Sequence, residues 1–408
     1  MLNTNHYFFL VIVTLMMSVS LLATDIYLPA LPEMTEYFNC SQTDIQRSFT
    51  VFLIGLAGCQ LISGMLSDKF GRKRVVVIGF TVFTISSVLC AHSSNLAELN
   101  TCRLLQAIGG GVGSVVGRAL VVDRFNRDGS VKIFSTIFPV IGLSAAVGPL
   151  IGGYLTYYWG WRSPFIFIAS FGFLVLLMAI SCLKDVKKNP VITLETETMD
   201  LLPINESKLG YLAIIRNLEF LGYALIICAG FCVFRCYTVE SPFVFNSQGY
   251  GAEEIGHFYI VLSLSYLSGN LIARKLANSL KVSQLLAIGF SFFVSGGFCM
   301  VCASYLFSSS PYSVIIPMSL VTLGNGFLFP VGSASALTSV PSHLTGSASG
   351  LMGAMQFVFA ALCINWVGEF SQGQALPMSI FIAGIILLGY CNYLFFVVYK
   401  TKPRVTAT

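Results

Sequence analysis

Long apolar runs set the rhythm of this chain. Twelve stretches, at about 7–29, 47–67, 75–92, 96–122, 133–156, 163–183, 212–239, 255–273, 283–305, 312–336, 345–366 and 375–399, are predominantly hydrophobic and are parted by polar connections. Each is long enough to cross a hydrocarbon core of ~30 Å. Backbone groups in lipid must be bonded within the segment, so runs of this length predict helices. The expected class is an all-α membrane protein with twelve transmembrane helices.

Composition agrees: of 408 residues, 55% are hydrophobic and 10% charged, with a mean hydropathy of +0.80. A soluble domain has too few buried places for that much apolar surface. The first run lacks the basic flank, short apolar core and small-residue cleavage site of a secretory signal, so it reads as the first span. The net charge of +5 sorts by loop and does not suggest nucleic acid. Lys69, Arg72, Lys73 and Arg74 follow the second run, Arg124, Arg127 and Lys132 the fourth, and Lys400, Lys402 and Arg404 end the chain. The alternate loops hold little beyond Arg47 and Arg162. The positive-inside rule then predicts a multi-pass membrane protein with both termini in the cytoplasm. Most of the 12 cysteines lie inside apolar runs, where they act as small hydrophobes. Without CxxC or His–Cys spacing, neither a metal nor a cofactor is expected.

One long polar connection, residues 184–208, divides the runs six and six. The expected organisation is an N-terminal six-helix bundle over 1–183, a cytoplasmic linker over 184–210 and a C-terminal six-helix bundle over 211–408. A shift of 210 residues lays Tyr27 on Tyr237, Pro32 on Pro242, Gly79-Phe80 on Gly289-Phe290 and Asp68 on Asn278. It also lays Asp25 on Arg235, so corresponding places would carry opposite charges.

Within this frame several stretches stand out. GMLSDKFGRKR contains Gly64, Asp68, Gly71 and Arg72 between the second and third runs. Its glycines permit a tight turn, and Asp68 can cap a helix or pair with a basic group; an ordinary basic loop is the alternative. GLSAAVGPLIGG places Pro149 where its ring leaves the carbonyl of Ala145 without a donor, so the helix can bend. Gly142 opens that stretch, and Gly148 and Gly152 form a small-xxx-small face. The fourth run carries Arg103, Gln106 and a Gly109, Gly113, Gly117 stripe. Arg103 lies roughly 10 Å below its membrane end at ~1.5 Å per residue, and Asp25 lies at similar depth. A buried arginine needs partners. Arg103 therefore either couples to Asp25 or is bonded to helix carbonyls. Arg118 either snorkels or lines a cavity. Arg235 either pairs locally with Glu240 or faces the cavity beside Tyr27 and Tyr237. Asn325 and Gln356 are cavity residues or interhelical glue.

Together TDIYLPALP, the Gly64–Arg74 stretch, R-x-x-Q-x-x-G-G, GPxxGG, WGWRSPF and ESPFVF resemble the bicyclomycin-resistance branch of drug:proton antiporters in the major facilitator superfamily. The resemblance covers nearly all of the chain. It implies the major facilitator fold of two pseudo-symmetric six-helix bundles, alternating access, and proton-coupled export of small molecules by a monomer. It further implies a cytoplasmic gate motif at Gly64–Arg72, an antiporter motif at Gly142–Gly152, and proton coupling through Asp25 and Arg103. Asp25 is the acid deepest in a run; Glu240 sits nearer a helix end. Arg103, Arg118 and Arg235 outnumber the acids, so a basic cavity and an anionic metabolite or carboxylate siderophore remain an alternative cargo, as does a uniporter. A non-transporting receptor is a further alternative. The chain offers no nucleophile–base motif and no phosphate-binding Gly loop, so no enzyme is expected.

Overall fold

The computed structural model describes residues 4–125, 133, 137, 147–183, 213–341 and 344–399. Helices form all of its regular elements among these residues: α1 (Thr4–Asp25), α2 (Leu31–Phe38), α3 (Gln42–Phe70), α4 (Arg72–His92), α5 (Leu96–Arg124), α6 (147–159), α7 (Ser163–Cys182), α8 (Leu218–Ser247), α9 (Ala252–Leu276), α10 (Val282–Leu306), α11 (Tyr312–Thr338), α12 (Thr345–Ser371) and α13 (Ala375–Asn392). Eleven spans among the described residues are long and apolar enough to cross a membrane, α1 and α2 counting as one. The expected fifth span is described only over its last part, and Gly142 and the linker 184–210 lie outside the described residues.

Two boundaries differ most from the sequence reading. The first span runs on past residue 29 because a short 3-10 turn, Leu28–Ala30, redirects the chain into α2 without leaving the bundle. Pro29 and Pro32 are the second residues of those two segments, within the first turn, where a missing N–H costs nothing. In the seventh span Pro242 lies inside α8, which continues to Ser247. Starts are encoded locally: Ser41 and Asp44 cap each other at the head of α3, and Asn217 accepts from Glu219 and Phe220 at the head of α8. Gly71 joins α3 to α4 at φ 93°, which a side chain would strain.

The helices run alternately up and down, so α2, α8 and α12 end at the face remote from the termini, here the distal face. Helices α1, α3, α4, α5 and α7 pack among themselves, as do α8 to α13; α3 against α12 is the largest seam between the sets. Close packing rests on glycine. A Cβ on Gly109 of α5 would lie 2.6 Å from the Gly79 carbonyl of α4, and one on Gly324 of α11 would lie 2.6 Å from the Gly289 carbonyl of α10. Ring pairs repeat at the same 210-residue shift. Tyr27–Phe49 and Tyr237–Tyr259 stand 6.3 and 6.5 Å apart, and Phe80–Phe83 and Phe290–Phe293 stand 6.3 and 6.2 Å apart.

Gly109→Ala is expected to destabilise the fold by about 1–3 kcal/mol, since backbone atoms of α4 must move to admit a methyl group. Gly58→Ala, whose Cβ would meet nothing within 4 Å, should be neutral or mildly stabilising. Thermal unfolding of the two variants in detergent checks the contrast; equal losses would contradict the packing role.

Candidate functional site

The polar residues buried deepest collect where the two sets of helices meet, toward the distal face. At the end of α1, Asp25 is paired through Oδ1 with Nη1 of Arg235 on α8, and both side chains are buried. Burying either charge alone would be costly; together they compensate. Neither is saturated: Asp25 Oδ2 and Arg235 Nε have no hydrogen-bond partner among the described residues. Helix α6 stands directly behind Asp25. A Cβ on Gly148 would lie 3.2 Å from the Asp25 Cβ, and one on Gly152 would lie 1.6 Å from the Ile26 carbonyl. Pro149 and Gly153 of the same helix face α9, with Gly256 and Ala252 at similarly close range. The GPxxGG stretch thus lets one helix pack on α1 and on α9, in opposite sets, at once.

Arg103 does not join the Asp25 pair. Its Nη1 donates to the Ala23 carbonyl at 3.2 Å and to Gln106 Oε1 at 2.6 Å. Its guanidinium lies over the rings of Phe52 and Tyr27, 4.0 and 4.3 Å from their centroids. Gln106 passes the contact on to Ser87 at 2.7 Å. Of the two alternatives for Arg103, the geometry is that of an arginine bonded to a helix carbonyl and caged by aromatics. Equal depth did not bring it to Asp25, because α8 presents a nearer cation. Tyr27 is buried, its hydroxyl 3.5 Å from that of Ser48. Tyr237 is buried against Tyr259, its hydroxyl unpartnered.

Glu240 does not pair with Arg235 either. Its carboxylate accepts from Gln42 at 2.7 Å and Gln46 at 2.8 Å, both on α3, and from Ser371 on α12 at 2.6 Å. Glycines make room for this latch: a Cβ on Gly368 would come within 2.1 Å of Gln46 Oε1, and one on Gly373 within 2.9 Å of Gln42 Oε1. A carboxylate held by neutral donors joins the two sets of helices at the distal face. Thr50 to Asn365 at 3.2 Å and Tyr154 to His257 at 3.0 Å add further bridges there. Toward the opposite face, Cβ atoms on Gly346 and Gly350 of α12 would meet nothing within 4 Å.

Arg118 points inward rather than to a membrane surface. It donates to Gln60 of α3 at 2.9 Å and to the Ser114 carbonyl, and Gln60 in turn faces Gly353 of α12. Asn325 donates weakly to the Gly230 carbonyl at 3.4 Å and lies against the α8 backbone, the position of interhelical glue. Gln356 is buried in α12. At the proximal face Arg72 binds Asp68 at 2.6 Å, Asp123 of α5 at 3.1 Å and the Ser67 hydroxyl. That clasp ties α3, α4 and α5 within one set of helices. Sequence reasoning missed Asp123 and the latch partners Gln42, Gln46 and Ser371. The i, i+4 glutamine pair opening an apolar span was the one available signal.

Comparison with known proteins places this geometry. Residues 13–364 match the family model described as Major Facilitator Superfamily. A bicyclomycin resistance protein homolog of Haemophilus influenzae is 24% identical over 382 residues, 93% of this chain and 94% of that one. Multidrug resistance protein D of Escherichia coli is 25% identical over 348 residues, 85% of each chain. Among solved structures, a D-xylose–proton symporter superposes with a TM-score of 0.74 at 16% identity, over 94% of this chain and 97% of that one. A partially occluded inward-open structure of the xylose transporter XylE from E. coli also reaches 0.74, at 15% identity, over 96% and 97% of the two chains.

Asp25→Asn and Arg235→Gln should each destabilise the protein by about 3–5 kcal/mol, because each leaves one buried charge unpaired. The double variant should recover most of that loss. A double-mutant cycle on unfolding in detergent reads the coupling; additive losses would show that the pair is not one unit.

Proposed function

The chain belongs to the major facilitator superfamily, and from that premise we propose that it exports small molecules, drugs or metabolites, in exchange for protons across the bacterial inner membrane by alternating access. Transport is the activity of the family, and its fold is that of a membrane carrier, not an enzyme. The relatives named for bicyclomycin and multidrug resistance support export as the direction. The observation that carries proton coupling is the buried Asp25–Arg235 pair between the two sets of helices.

The basic residues gather at the proximal face, which the positive-inside rule assigns to the cytoplasm together with both termini. The distal face is then periplasmic and latched in this conformation, and the open space beside Gly346 and Gly350 of α12 lies on the cytoplasmic side. Cargo enters from that side. Rocking of residues 1–183 against 211–408 opens the distal face, parts Asp25 from Arg235 and leaves a carboxylate without its cation in a site of low dielectric. That carboxylate takes a proton from the periplasm. On return, Arg235 closes on Asp25 again and displaces the proton to the cytoplasm. Arg103 serves here as a positioning residue: bonded to the Ala23 carbonyl and Tyr27 ring, it holds the last turn of α1 and hence Asp25. Glu240 belongs to the periplasmic gate.

Two measurements test this. In everted membrane vesicles with an imposed pH gradient, Asp25→Asn should abolish gradient-driven export; full retained export would refute proton coupling through Asp25. Collapse of the gradient with a protonophore should stop wild-type export, and flux that ignored it would mark a uniporter.

Arg118 favours a second reading, in which the cargo is anionic. It is half-buried between α3 and α12 and hydrogen-bonds only neutral groups among the described residues, so it can meet a carboxylate. This reading predicts that wild-type vesicles transport a polycarboxylate better than a lipophilic cation, and that Arg118→Gln reverses the order. An unchanged order in the variant counts against it.

A further inference from the structure

A crevice of about 490 Å³ opens on the membrane-facing side between α3, α4 and α5, away from the Asp25 site. One wall is an i, i+4 ladder on α3: Ile54, Gly58, Ile62, Leu66 and Phe70. These positions cover ~24 Å of helix at ~1.5 Å per residue, longer than the ~15 Å depth of one leaflet's hydrocarbon. Ile78 of α4 and Ile108 of α5 line the other walls, 65% and 45% exposed. At Gly58 the wall is hollowed, since a Cβ there would meet nothing within 4 Å. The crevice is therefore a slot of acyl-chain length rather than a packing defect between helices.

Its proximal end is charged. Lys69 stands one turn beyond Leu66 on α3, with its Nζ 5.4 Å from the centre of the Phe70 ring that lines the slot. Arg74 stands one turn before Ile78 on α4. Both cations are exposed, and neither has a carboxylate partner among the described residues. Arg72, between them in sequence, is already engaged by Asp68 and Asp123. Lys73, also between them, reaches instead to the Ile180 carbonyl at 2.8 Å, so Lys69 and Arg74 are the cations at the proximal end of the slot.

We propose that this crevice binds an anionic phospholipid, with one acyl chain along the α3 ladder and the phosphate between Lys69 and Arg74. A zwitterionic lipid offers the same chain but carries its own cation beside the phosphate. The site therefore selects by headgroup charge, while the slot supplies chain affinity. Basic pockets between transmembrane helices on the cytoplasmic side recognise anionic headgroups in this way. The slot shares no residue with the Asp25 pair or the distal latch.

The test uses the full-length protein, native mass spectrometry and equimolar phosphatidylglycerol and phosphatidylcholine of equal chain length. The wild type should retain phosphatidylglycerol preferentially, by up to roughly thirtyfold if each cation contributes at its usual membrane-surface strength. Lys69→Gln with Arg74→Gln should remove that preference but keep some binding of both lipids. Gly58→Leu fills the slot from a position with free space and should lower retention of both. Lys275→Gln, an exposed cation elsewhere on the same face, should change nothing. A phosphatidylglycerol preference that survives the double substitution overturns the headgroup assignment. Retention unaffected by Gly58→Leu overturns the slot.

Discussion

The structure depends on one constraint: two opposite charges are buried where neither can be left alone. Asp25 closes α1 and Arg235 lies inside α8, and each is almost inaccessible. In a low-dielectric interior a lone carboxylate or guanidinium costs several kcal/mol, whereas the pair largely compensates itself. Much of the local architecture serves their meeting. Gly148 and Gly152 let α6 approach α1 from behind, the 3-10 turn at Leu28–Ala30 ends the helix just past Asp25, and Arg103 holds the Ala23 carbonyl. Because the partners belong to different sets of helices, any motion that separates the sets must first deal with this pair.

The two faces of the bundle are held by different chemistry. At the distal face Glu240 is held by Gln42, Gln46 and Ser371, neutral donors from both sets. Bonds of neutral donors to a charged acceptor are worth roughly 1.5–3 kcal/mol each, and all three depend on one carboxylate. At the proximal face Arg72 joins Asp68 and Asp123, which lie in the same set of helices. That clasp stiffens α3, α4 and α5 as a unit and does not bridge the sets. Asn278 stands where the 210-residue shift would place a second Asp68, so the other set lacks the matching carboxylate. The asymmetry suits a carrier in which one seam opens while each half stays rigid.

The fold was largely legible because lipid leaves few choices. Apolar runs of sufficient length must be helical, and their boundaries fell close to the observed ones except at the ends of the first and seventh. The run ending near 239 carries on through Pro242 to Ser247, and the one ending near 29 turns at Leu28–Ala30 into α2. The 210-residue shift was informative for the same reason: it paired Asp25 with Arg235 as counterparts, and the bundle brings those two into contact. The Arg103 placement was legible only in part. Depth along a helix follows from residue count, but azimuth and the neighbour it faces do not, and aromatic rings of Phe52 and Tyr27 decide the matter. The distal latch was hidden because Gln42, Gln46 and Ser371 are individually ordinary polar residues at helix ends. Only tertiary packing gathers them on Glu240.

The placement of the arginines also changes the charge a cargo would meet. Counted along the sequence, Arg103, Arg118 and Arg235 against Asp25 and Glu240 make a basic cavity. In the folded chain Arg235 is neutralised by Asp25, and Arg103 is spent on a carbonyl, a carboxamide and two rings. Glu240 is likewise withdrawn into the distal latch. What remains near the seam between α3 and α12 is the single guanidinium of Arg118, bonded to neutral groups. A field from one half-buried cation is modest and local, unlike the potential that several convergent charges would create. It can orient a carboxylate-bearing cargo without excluding neutral amphiphiles, whose affinity would come from apolar walls. Broad substrate tolerance and a bias toward anions would therefore be compatible, because Arg235 is paired with Asp25 and Arg103 is fully enclosed.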